Sequence, residues 1–286
     1  MQQSSIDAIV SEFRFKTGID IDPKISILPR DEFLKDMIKS SDRYLKRLFA
    51  WYGRLLFPMI KKNLYKVARD APLLVMGIYK TGSREIVVVD FSTLRPVDIS
   101  NANQSDLEYS QKKCMYHELG HYVEAEFGLF QRFFRGVLQG DPLYITGSDF
   151  SERIMAEGIA EMIAIYMMAP EGVRDFRDLA HVSSKLRTVY RKAQKKELGT
   201  AFNVIVECEL ALGKPRTAEL LRKRGIDVRP LSLIGRMSDQ RYYIHKVCMH
   251  TGVYHLLGRV ADLRSSDIAS QIRELSDIPK MKVLIE

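Results

Sequence analysis

No stretch of this chain stays apolar for the roughly 18 residues a helix needs to cross a bilayer. The nearest candidate, residues 154–169, is interrupted by Glu157 and Glu161. The first twenty residues lack the basic-then-apolar layout of a secretory leader. Both absences lead to the expectation of a soluble, unsecreted protein without membrane contact. Cysteine is scarce: Cys114, Cys208 and Cys248 are the whole set. Odd in number and far apart, they form no disulfide framework and no C-x-x-C metal site, and they suit a reducing, cytoplasmic compartment. No zinc-finger, P-loop or dinucleotide fingerprint occurs, nor does any repeat, low-complexity tract or flexible linker.

What remains is an ordinary globular composition. Of 286 residues, 46% are hydrophobic and 28% charged, enough for one large domain or two small ones. The net charge of +8 is spread over 43–54, 61–69, 185–196 and 214–224. Such runs are usually solvated helix faces. A surface for nucleic acid or another acidic partner is the second reading, and no motif supports it.

Periodicity places a short helix over 5–15, a short strand over 24–28 and a helix-rich stretch over 31–70 with a break near Pro58. Two β-rich segments, 73–79 and 85–91, flank Lys80-Thr81-Gly82-Ser83-Arg84 and read as a hairpin. A helix capped by Ser105 follows, and 129–150 is a connection long enough to line a cleft. Helical patterns then run over 151–169, 171–180, 183–197, 200–213, 215–224, 239–263 and 266–276. The expected class is α+β and mainly helical. A small antiparallel sheet should stand beside a two-helix core, with helical additions at both ends. The regions are 1–70, a core over 71–169 and 170–286, joined in one compact unit.

The strongest motif is His117-Glu118-Leu119-Gly120-His121, inside the apolar-periodic segment 107–127. Residues four apart share a helix face, so both imidazoles can reach one metal ion. Glu118 sits at the rim of that face, placed to hold and deprotonate a water. This is the H-E-x-x-H pattern of zinc hydrolases. Cys114 lies three residues before His117 and reads as a small helix residue rather than a ligand. Further along, Ala156-Glu157-Gly158-Ile159-Ala160-Glu161 puts two carboxylates on one face of an apolar helix. Burying both without partners is costly; a metal ion and a histidine N–H would satisfy them. Two His and one Glu with an open fourth position is a standard catalytic zinc set.

HELGH followed by EGIAE resembles the gluzincin zinc metallopeptidases, the class of thermolysin-like enzymes and related aminopeptidases, over about residues 71–169. Carried over by position, the resemblance implies one zinc ion held by His117, His121 and Glu157, with Glu118 as general base. It implies Glu161 as the carboxylate that orients a ligand histidine, His117 first. The third histidine of metzincins is missing, as is the G-x-M-E-N exopeptidase motif. Gluzincins also use a downstream His or Tyr to stabilise the oxyanion. His245, His250 and His255 lie in 242–255 with Tyr242, Tyr243 and Tyr254. His250 and Tyr254, four apart, are the candidates for this donor.

The expected function is a cytosolic, zinc-dependent metallopeptidase, a hydrolase of peptide or protein substrates. The competing reading is a zinc-loaded but slow or inactive protein on the same scaffold, with a regulatory or basic-surface binding role; the intact Glu118 argues against it.

Overall fold

In a computed structural model of the chain, residues 3–40, 76–96, 98, 104–131, 148–193 and 237–277 are described. Helix α1 spans Gln3–Thr17. It buries Ile6, Ile9 and Phe13, spaced three and four apart as an amphipathic helix requires. Gly18, at φ 67°, closes it by returning its N–H to Arg14 O at 2.9 Å, the left-handed ending that glycine adopts without strain. Strand β1 (Lys24–Leu28) and helix α2 (Arg30–Ser40) follow. Arg30, at the head of α2, is buried and pairs at 2.7 Å with Asp98, whose carboxylate is enclosed.

Strands β2 (Gly77–Lys80) and β3 (Glu85–Val89) make the expected hairpin. The sheet departs from expectation in one respect. Its order is β1-β3-β2, with β2 antiparallel and β1 parallel to β3, so it is mixed rather than antiparallel. Strand β1 precedes α2 and the connection to the hairpin, and that long crossover lets it enter in the parallel sense. The central strand is the most buried: Ile86, Val87, Val88 and Val89 are all 1% exposed or less. A β-branched run without polar alternation fits a strand covered on both faces.

Helix α3 (Gln104–Glu126) packs on β2 and β3, and helix α4 (Ser148–Met167) packs on α3. Helix α3 begins at Gln104, one residue before Ser105, whose side chain lies outside the described residues. The segment expected as helix over 171–180 is instead a turn and a short 3-10 helix, Phe176–Leu179, capped by Asp175. A regular helix then runs over 180–193. Helix α5 (Met237–Leu257) packs on α4, and α6 (Ile268–Ser276), capped by Asp267, follows a 3-10 turn at Val260–Asp262. Among the described residues the structure is mainly helical with a three-stranded sheet, an α+β arrangement. Among the described residues no helix is long and apolar enough to cross a membrane. The expected elements over 41–75, 200–213 and 215–224 lie outside the described residues, as do three of the four basic runs.

Two close approaches fix the helical layer. A Cβ on Gly120 would stand 2.7 Å from Ala160 Cα, so the α3 and α4 backbones touch there. A Cβ on Gly158 would stand 2.7 Å from Gly252 Cα, which seats α5 on α4 in the same way. Only glycine permits these distances. Each contact lies one to three residues from a candidate ligand.

Candidate metal centre

Every residue from Met115 to Glu124 on α3 and from Ile154 to Ala164 on α4 is buried. Most are apolar, yet two imidazoles and four carboxylates (His117, His121, Glu118, Glu124, Glu157, Glu161) are enclosed with them. Ionisable groups are taken from water at this density only when they satisfy one another or an ion.

Their arrangement is specific. His117 and His121 stand one turn apart with ring centroids at 4.9 Å and planes at 90°. Glu157 Oε2 lies 3.5 Å from His117 Nε2 and 3.4 Å from His121 Nε2. All three residues can offer one ligand atom within 4.8 Å of the others. Ligands about 2.05 Å from a tetrahedral zinc are separated by about 3.3 Å. A charge-assisted N–H···O bond would instead close to about 2.7–2.9 Å. The spacing therefore fits three ligands around a common point.

The remaining ring nitrogens face carboxylates. His117 Nδ1 is 3.3 Å from Glu161 Oε2, and His121 Nδ1 is 2.9 Å from Glu124 Oε2. Glu161 is fastened further: Lys113 Nζ donates to its Oε1 at 2.6 Å and Tyr190 OH donates to the same oxygen at 2.9 Å. Burial would push Glu161 up, but the bonds from His117 and Lys113 outweigh it and hold this carboxyl well below the usual range. Burial likewise opposes charge on His117, yet Glu157 and Glu161 raise it to about 9. For His121, burial is again overcome, here by Glu124 and Glu157, and it lies well above the ordinary histidine range. Burial pushes Glu124 up to about 7 against the pull of His121. Without an ion, protons on the two imidazoles answer the surrounding carboxylates. A divalent cation would replace them.

Glu118 turns toward the sheet. A Cβ on Gly77, the first residue of β2, would meet Glu118 Oε1 and Cys114 Sγ, each at 2.8 Å. The general-base candidate is thus lodged against the edge strand of the described sheet. Burial pushes the Cys114 thiol well up, which disfavours the thiolate a metal would need, and Cys114 is not part of the three-residue group.

Of the oxyanion candidates, His250 is buried on α5 and packs edge-on against Tyr190 at 5.4 Å. It is therefore linked to Glu161 through that tyrosine. Tyr254 lies under the Arg187 guanidinium at 4.6 Å and meets His255 edge-on. His245 falls within α5, as do Tyr242 and Tyr243. Three contributors escaped the sequence reading. Glu124 is three residues beyond His121 and Lys113 four before His117, so helical spacing could have found both. Tyr190 comes from a distant helix, and no spacing signals it. No family model, curated protein or solved structure matches the chain.

Proposed function

We propose that this protein is a zinc-dependent metallopeptidase. The observation that carries the reading is the convergence of His117 Nε2 and His121 Nε2 on one Glu157 oxygen at 3.5 and 3.4 Å, the ligand separation of a tetrahedral zinc. The donor set, two imidazoles and a carboxylate, suits zinc and leaves a position for substrate. When bound there, zinc would polarise a scissile carbonyl and lower the pKa of a water to about 7.

The chain's own residues supply the rest. His117, His121 and Glu157 hold the ion. Glu161 accepts from His117 Nδ1–H and so presents Nε2 to the metal side. Glu118 is the only one of the four buried carboxylates that faces β2 rather than a ligand pair. It takes the proton from the attacking water and returns it to the leaving amine. An extended peptide can pair with the outer edge of β2, which is unpaired among the described residues and starts beside Glu118. His250 or Tyr254 remains the candidate to donate to the carbonyl oxygen as charge develops there.

The test is Glu118→Gln assayed with zinc content alongside peptide cleavage. The amide can still accept a hydrogen bond but takes up no proton at neutral pH. Zinc should be retained and hydrolysis reduced by at least about 10²-fold. Cleavage near the wild-type rate would remove Glu118 from the mechanism, and no cleavage by zinc-loaded wild type would remove the peptidase reading.

A further inference from the structure

We propose that Glu124 is a positioning residue for the metal centre, performing for His121 the task that Glu161 performs for His117. The inference rests on the metal-centre reading above and extends it to a residue outside the H-E-x-x-H motif. A histidine binds a metal through one nitrogen only if the other keeps the proton, and that N–H needs an acceptor when the ring is buried. His121 is 7% exposed, and Glu124 Oε2 lies 2.9 Å from its Nδ1. In the neutral, metal-binding ring that bond leaves Nε2 as the lone-pair nitrogen, and Nε2 is the atom that faces Glu157.

Three features distinguish this pair from an incidental ion pair. Glu124 is fully buried with 0% exposure, a position where an apolar side chain would be cheaper unless the carboxylate has a task. Glu124 and His121 lie three apart on one helix, so the bond is set by helical geometry and needs no loop to close. Finally, the two ligand histidines are served from different helices, His117 by Glu161 on α4 and His121 by Glu124 on α3 itself. Each ring is thereby fixed independently. With the planes at 90°, neither can turn without losing either its carboxylate or the shared point at Glu157. A second carboxylate also adds negative charge beside a divalent cation.

The experiment measures zinc affinity by chelator competition in wild type, Glu124→Gln and Glu124→Met, together with the thermal midpoint of each metal-free protein and the visible spectrum of each cobalt(II) derivative. Methionine fills the space without an acceptor. Its affinity should fall about 10–100-fold; the metal-free midpoint should fall as well, because His121 loses a buried partner, so affinity is read on the folded protein. Glutamine keeps a neutral acceptor, so its loss should be smaller, with a shifted cobalt spectrum reporting changed imidazole donation. A wild type that binds no zinc overturns the metal-centre reading itself. A wild type that binds zinc, with unchanged affinity and cobalt spectrum in both variants, overturns only the role of Glu124. Should Glu124→Met fail to fold, near-isosteric Glu124→Gln still decides through its affinity and spectrum.

Discussion

Replacing Gly120 by alanine attacks the helix crossing on which the site depends. In an open helix that exchange stabilises by about 1 kcal/mol. Here the new Cβ would stand 2.7 Å from Ala160 Cα, 3.1 Å from its Cβ and 3.2 Å from its O, whereas carbon atoms rest about 3.5–4.0 Å apart. The shortest contact is to backbone of a buried helix, so no side chain can swing aside; α3 and α4 must part by several tenths of an ångström. Overpacking of this kind costs about 1–3 kcal/mol, which meets or exceeds the propensity gain. The net loss of metal-free stability is expected near 1 kcal/mol.

The effect on zinc should be larger. His117 and His121 flank Gly120 on α3, while Glu157 lies one turn before Ala160 on α4. Metal–ligand distances tolerate only about 0.2 Å, so parting the helices pulls the carboxylate from the imidazoles. Zinc affinity is expected to fall at least about tenfold. Urea unfolding of metal-free protein and chelator competition measure the two quantities, with Gly172→Ala as the control because nothing lies within 4 Å of a Cβ there. A Gly120→Ala protein about 1 kcal/mol more stable than wild type, with undiminished zinc affinity, would refute this account of the crossing.

The metal-free centre should respond to pH in a defined direction. His117 is raised from 6.5 to about 9, so the stability its protonation contributes is complete below about pH 6.5 and lost as pH rises through about 9. Zinc must displace that proton, and its affinity should therefore climb by about tenfold per pH unit or more between pH 6.5 and 8; chelator competition that gives a flat profile would contradict the coupling. Glu161→Ala removes the acceptor for His117 and strands Lys113 and Tyr190 beside it. Zinc affinity or turnover should drop about 10–100-fold, and neither changing would reduce Glu161 to a packing residue.

Much of the frame was legible because short-range physics decides it. Strand β1, the hairpin around 81–84 and the helix carrying HELGH follow from alternation, turn residues and a four-residue period. Non-local choices were not legible. The parallel docking of β1 on β3 depends on what the intervening chain allows, so the sheet proved mixed. The 171–180 segment has helical periodicity, yet the Asp175 side chain accepts the Arg177 N–H at 2.8 Å and caps a shorter 3-10 turn, a local bond that competes with helix. At the site, Glu157 and Glu161 stood out as acids in an apolar helix. Glu124 was hidden in plain spacing, because an acid near the end of a charged helix reads as solvent-facing until burial is known. Tyr190 reaches Glu161 only through the packing of the 180–193 helix, a contact with no one-dimensional signature.

The central claim is that His117, His121 and Glu157 hold one zinc ion. X-ray absorption at the zinc edge of the purified wild-type protein tests it most directly. The account predicts one equivalent of zinc with only nitrogen and oxygen neighbours at about 2.0–2.2 Å and the outer-shell scattering of two imidazoles. Protein that takes up no zinc, or zinc with a sulfur neighbour at about 2.3 Å as Cys114 would supply, contradicts it.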